Sequence, residues 1–125
     1  MADKITPAEL DVLEELWKAA PAAASDIAER LGKKKSWSAQ TVKTLLARLV
    51  EKGAVRFEQD GRRYLYCPAI TREQYARKEA RWFVDRLFDG RTAPLVANLA
   101  GSGKVSREDI AELEALLKEL KRERK

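Results

Sequence analysis

A change of hydrophobic period just after Gly53 limits the folds open to this chain more than any other feature. Before it, Val42, Leu45, Leu46, Leu49 and Val50 recur at helical spacing. After it, Val55, Phe57, Tyr64 and Tyr66 alternate with polar residues, as in half-buried strands. Asp60-Gly61 interrupts the alternation where a tight hairpin turn belongs. The spacing therefore predicts a helix running straight into a two-stranded hairpin of about residues 54–67. A lone hairpin is only marginally stable in water, so its apolar side must rest on helices.

The preceding sequence supplies them. Thr6, Pro7 and Glu9 make a T-x-x-E capping box with proline at the first helical position. Leu10, Leu13, Leu16 and Trp17 then share one face until "AAPAA". A short second helix is expected from about Ala24 to Leu31, with Ile27, Ala28 and Leu31 inward and Gly32 as its stop. Ser36 or Ser38 would cap the third helix and Gly53 would close it. Three helices followed by a hairpin make a winged helix-turn-helix, expected over residues 1–70.

Residues 71–125 read as helical, giving a mainly α chain. Thr71 and Gln74 form another capping box, and Gly90 is a stop. Ala76, Ala80, Phe83 and Leu87 make one stripe, widened by Tyr75, Trp82 and Phe88. "APLVANLAG" follows, and a last helix starts at Ser106. Its Ile110, Leu113, Leu117 and Leu120 step by three and four, a coiled-coil-like seam. This is more apolar surface than a monomer of 125 residues needs. The expectation is a dimerisation arm in which Tyr75, Trp82, Phe83, Leu87, Leu95, Ile110, Leu113, Leu117 and Leu120 meet a second copy.

Charge is distributed unevenly. Residues 1–30 carry a net −4, residues 31–66 a net +6 and residues 67–125 a net +3. The middle segment is thus expected to form a localised polyanion-binding surface. Opposite the core stripe of the third helix lie Gln40, Lys43, Thr44, Ala47, Arg48 and Glu51, a contiguous polar face with short side chains at its centre. A face that only meets water favours Glu and Lys. This one fits a DNA major groove, with Gln40, Lys43 and Thr44 reaching base edges and Arg48 a phosphate. Ser38 and Thr41 complete it at the helix start. Lys33, Lys34 and Lys35, read as a loop before the helix, would meet phosphates, although a lysine run is often only solubilising. Arg62 and Arg63 at the hairpin tip could enter a minor groove or touch backbone.

Other functions find little support. The chain has no histidine, which removes the commonest general base and metal ligand together. Cys67 is the single cysteine, so no internal disulfide or thiolate metal cluster is expected. "GSGK", Gly101 to Lys104, fails the phosphate-loop pattern because Asn98 stands at the first glycine position and Val105 at the Ser/Thr position. We expect no enzyme, no cofactor and no metal. "MADKITPAEL" lacks the apolar core of a signal peptide, and no apolar run approaches membrane-spanning length, so a cytoplasmic location is expected.

The order of these elements resembles the penicillinase-repressor family, the BlaI/MecI repressors with their copper-responsive CopY relatives. The resemblance is carried by "ITPAELDVLEELWK", "WSAQTVKTLLARLVEKGAV", "RRYLYCPAITREQY", "RLFDGRTAPLVANLA" and "SREDIAELEALLKEL", which cover essentially the whole chain. It implies a homodimeric transcriptional repressor on inverted-repeat operators with TACA/TGTA-type half-sites. In the penicillinase branch, a membrane sensor-transducer with a zinc metalloprotease domain detects β-lactam antibiotic, and the repressor is cleaved within its arm. The family's scissile bond follows an Asn and usually precedes Phe; here it corresponds to Asn98–Leu99. The copper branch depends on a C-terminal cysteine cluster, and "KELKRERK" has none. Two other readings stay open: a winged-helix regulator of unrelated genes answering to a small ligand in the aromatic arm, and a module meeting an acidic protein.

Overall fold

The computed structural model describes residues 4–124. Met1–Asp3 and Lys125, the ends of "MADKITPAEL" and "KRERK", lie outside the described residues. The elements run α1 (Pro7–Lys18), α2 (Ala24–Lys35), α3 (Ala39–Glu51), β1 (Val55–Asp60), β2 (Arg63–Pro68), α4 (Arg72–Leu87), α5 (Thr92–Gly101) and α6 (Arg107–Glu123). The mainly helical winged helix-turn-helix expected from the sequence is present. The chain divides into two compact units within α4, after Ala76.

In the first unit the three helices share one core. Val12, Leu13 and Leu16 from α1 pack with Ile27 and Leu31 from α2, and with Val42, Leu45, Leu46 and Leu49 from α3. Each such aliphatic side chain contributes about 1.5–3 kcal/mol by leaving water. Leu10, expected inward, is only half-buried. The buried face of α1 is centred on Glu9, Val12, Leu13 and Leu16, which turns Leu10 to its edge. Pro7 stands in the first helical turn, and Thr6 and Glu9 form both bonds of the predicted capping box.

Two helix boundaries differ from expectation. Gly32 does not stop α2, which continues through Lys33, Lys34 and Lys35 and ends at Ser36 in the left-handed region (φ 55°). The lysines pull the helix onward because cations in a last turn face the negative end of its dipole. Ser36 therefore caps the end of α2, and Ser38 alone caps the start of α3, accepting the Thr41 N–H at 3.2 Å.

The hairpin is antiparallel, with Asp60 opposite Arg63 and Val55 opposite Pro68. Its two-residue loop is therefore Gly61-Arg62, one position beyond the Asp60-Gly61 pair that signals it. Gly61 takes φ +65° at the first loop position, where a type II′ turn needs glycine. The base of the ribbon is sewn to the helices: Tyr66 and Ala22 exchange backbone hydrogen bonds of 2.8 and 3.1 Å, and the Ala54 N–H reaches the Leu49 carbonyl at 2.9 Å. Val55 is buried and Tyr66 packs on the core. Phe57, opposite Tyr66, and Tyr64, nearer the tip, stay exposed and pack edge to face on each other at 5.1 Å. The expectation that the apolar side of the hairpin lies on the helices thus holds at its base only. Toward the tip an open cleft separates the wing from the starts of α2 and α3.

The second unit comprises the rest of α4 with α5 and α6. Among its described residues Val84 is the one buried apolar side chain. Asp89 and Gly90, both at positive φ, end α4, and the Gly90 N–H returns to the Val84 carbonyl at 3.0 Å. Ser106 and Asp109 form the capping box of α6. No helix among the described residues is long and apolar enough to cross a membrane.

Candidate nucleic-acid interface

Because the core stripe of α3 faces inward, Gln40, Thr41, Lys43, Thr44, Ala47, Arg48 and Glu51 are left on its exposed side. Their hydroxyls are not equivalent. Ser38 and Thr41 bind each other, with 3.2 Å between their oxygens, while Ser38 also accepts the Thr41 N–H. Both therefore build the helix start more than they project from it. The Thr44 hydroxyl donates to the Gln40 carbonyl at 3.1 Å. Its donor is spent inside the helix, leaving lone pairs and a methyl group for a ligand.

Lys43 does not stand alone. It lines a cleft of about 370 Å³ together with Arg62 and Arg63 from the wing, Tyr64 and Tyr66 from β2, and Ala23, Ala24 and Ser25 at the start of α2. Three cations from two separate stretches of sequence thus converge beside the start of α3. Sequence reasoning missed Ser25 and Tyr64. The run "AAAS", small residues where a helix begins, is the signal that close approach is possible there. Burial, with Tyr64 nearby, raises the Tyr66 phenol above its ordinary value, so it keeps its proton at neutral pH.

The lysine triplet is arranged differently from the predicted loop. Lys33 and Lys34 are exposed on the last turn of α2. Lys35 pairs with Asp11 at 3.3 Å and lies 5.9 Å from the Trp37 ring centre, so part of its charge is already answered. Arg48 lies toward the far end of α3, close enough for its charge to help lower the Glu9 carboxyl.

The remaining predicted residues are spread over the second half of the chain. Trp82, Phe83, Leu87, Ile110, Leu117 and Leu120 are exposed, while Leu95 and Leu113 are half-buried. Leu116, not picked out from the seam, is exposed as well. Tyr75 is held within the first unit, its ring 5.9 Å from that of Trp17. Asn98 and Leu99 lie near the end of α5, where the Leu99 carbonyl accepts the Ser102 hydroxyl at 2.7 Å.

A polar helix face beside a wing with two arginines defines a winged-helix DNA-binding protein. Known proteins make the assignment more specific. The penicillinase repressor family matches residues 5–119. The penicillinase repressor of Bacillus licheniformis is 32% identical over 98% of this chain and 95% of its own length. Among solved structures, the DNA-binding domain of the repressor BlaI is 33% identical, covers 60% of this chain and 92% of its own, and superposes with a TM-score of 0.53. The monomeric form of Bacillus licheniformis BlaI in complex with the blaP half-operator has the same identity and coverage and a TM-score of 0.50. The chain belongs to the penicillinase repressor family. It is a DNA-binding transcriptional repressor, not an enzyme, as the sequence resemblance implied.

Proposed function

We propose that this chain represses transcription as a homodimer on an inverted-repeat operator in the cytoplasm. A winged-helix domain, residues 1–70, reads each half-site, and an arm from residue 71 joins the two copies. The convergence of Lys43, Arg62 and Arg63 beside the outward face of α3 carries this reading. The wing arginines offer phosphate contacts beside a helix slim enough to enter a major groove, with Lys43 between them and the bases. Likeness to BlaI on its half-operator supports it. Lys43, Gln40 and the Thr44 methyl meet bases. Lys33, Lys34, Arg48 and the wing arginines meet phosphates, and Ser38 and Thr41 fix the start of the helix. The exposed apolar residues of α4 and α6 meet their copies in the second protomer.

Release follows cleavage of Asn98–Leu99 by a membrane sensor-transducer metalloprotease that responds to a signal such as a β-lactam. A protease takes its substrate extended, so the last turn of α5 must open first. The exposed flank of α5 and the turn at Ser102 and Gly103 favour such local opening.

The DNA half of this reading is tested by Lys43→Ala and Thr44→Ala against Lys34→Ala, titrated with operator and with random duplex. The first two should lose about 1–3 kcal/mol on operator and little on random DNA. Lys34→Ala should weaken both alike. Equal losses on both duplexes for all three would contradict the groove assignment. Co-expression with a cognate sensor plus β-lactam should yield a fragment ending at Asn98, and intact repressor under derepressing conditions would contradict the cleavage.

A further inference from the structure

Two methyl groups sit at the centre of the polar face of α3, and neither belongs to the core. Thr44 and Ala47 are both exposed and stand three positions apart, so their side chains are neighbours on one surface. Gln40 and Lys43 flank the pair toward the helix start, Arg48 and Glu51 toward its end, and all four are exposed. The result is a small apolar patch inside a polar frame.

The hydrogen bond of Thr44 gives the patch a definite chemistry. Its hydroxyl donates to the Gln40 carbonyl at 3.1 Å, one turn back along the helix. Threonine carries two branches on Cβ, so an oxygen turned onto the backbone leaves the methyl on the other branch. The same bond restrains χ1, and the methyl keeps one direction. A hydroxyl held in this way has no proton left to donate to a base. Stability does not account for the residue either. Threonine is a poorer helix former than alanine, and a bond back to the carbonyl four positions earlier slightly weakens a helix. Ala47 has nothing beyond Cβ, so a partner can come to carbon–carbon contact, about 4 Å, beside it.

Among the base edges of the major groove, only that of thymine adds a methyl group to its hydrogen-bonding atoms. We propose that Thr44, with Ala47 beside it, recognises one thymine of the half-site through its C5-methyl group. The inference rests on α3 lying in the major groove, as read above, and names the base group that the helix meets there. Gln40 and Lys43 bring hydrogen-bond donors to the rim of the contact. The apolar centre supplies what a donor cannot: a preference for thymine over a base that pairs identically and lacks the methyl.

The test titrates the full chain with a duplex carrying one TACA/TGTA half-site, in which each thymine is replaced in turn by deoxyuridine. Uracil pairs as thymine does and lacks only the methyl. Wild type should lose about fourfold in affinity at one thymine, the worth of one buried methyl, and little at the others. Two variants then assign that loss. Thr44→Ser keeps the hydroxyl and removes the methyl, whereas Thr44→Val keeps the methyl and removes the hydroxyl. Both changes fall at an exposed position, outside the core. Thr44→Ser should bind the thymine and uracil duplexes alike, and Thr44→Val should retain the preference of about fourfold. A wild type that prefers the half-site to a scrambled duplex, yet is indifferent to every uracil, would overturn the proposal. So would a Thr44→Ser that keeps the preference, which places the contact on another side chain, or a Thr44→Val that loses it, which places it on the hydroxyl. Equal binding of half-site and scrambled duplex by wild type would instead overturn the reading of α3 in the groove, and this proposal with it.

Discussion

At Glu9 one carboxylate oxygen accepts both the Thr6 N–H, at 3.0 Å, and the Lys52 ammonium, at 2.5 Å. The same ammonium reaches the Lys4 carbonyl at 2.7 Å. One buried acid therefore starts α1 and anchors the residue that ends α3. Its other oxygen is buried without a hydrogen-bond partner, so its charge depends heavily on Lys52. Burial pushes the Glu9 carboxyl upward. The hydrogen bonds from Lys52 and Thr6, with the charges of Lys52 and Arg48, outweigh this and hold it below 4.5. Lys52→Met should destabilise the protein by about 3–5 kcal/mol, because it strands a buried charge. A pKa lowered by folding stabilises above the unfolded value and is lost as pH falls through the folded one. The urea midpoint of wild type should thus fall as pH drops below 4.5, and that of Glu9→Gln should fall less over the same range. Parallel curves would contradict the assignment. Thr6 and Glu9 were legible as a capping box, since they stand three positions apart. Lys52 was not, because it stands 43 positions from Glu9 and no local pattern encodes that reach.

At the scale of elements, α3 and the wing act as one unit. The core stripe of α3 was plain in its spacing, and so was the hairpin, because both obey a local period. The turn was displaced by one residue, since Asp60 can pair as readily as it can turn. Gly32 misled for a related reason: glycine suits a helix end, but only a left-handed backbone demands it, and Ser36 supplies that conformation instead. Nothing local shows that Lys43 and the wing arginines share a cleft, as that follows from the seam between Ala22 and Tyr66. If Arg62 and Arg63 meet phosphates, Arg62→Ala and Arg63→Ala should each reduce the log–log salt dependence of operator binding by about one. A slope unchanged in both would remove the wing from the interface. For α5, amide exchange around Asn98 should be faster than in α3, whose buried face must unfold with the core. Comparable protection would make the bond a poor protease target.

For the whole molecule, the stepped apolar residues of α6 were legible because heptad-like spacing survives without knowledge of a partner. What covers them was not, since in the proposed dimer the covering surface belongs to a second copy. The exposure of Ile110, Leu117 and Leu120 suits a second copy presenting the same stripe. Ending the chain after Asn98 should therefore cost about 10²–10⁴ in operator affinity by loss of avidity, with half-site affinity retained. The most direct measurement is a titration of the purified full chain, followed by mass and by anisotropy, against a palindromic duplex with TACA/TGTA half-sites and a scrambled duplex of equal length. Two protomers should bind the palindrome at least about 10³-fold more tightly than the scrambled duplex, with affinity falling steeply as salt rises. A monomer with equal, salt-insensitive affinity for both duplexes would contradict the claim that paired α3 helices read operator DNA.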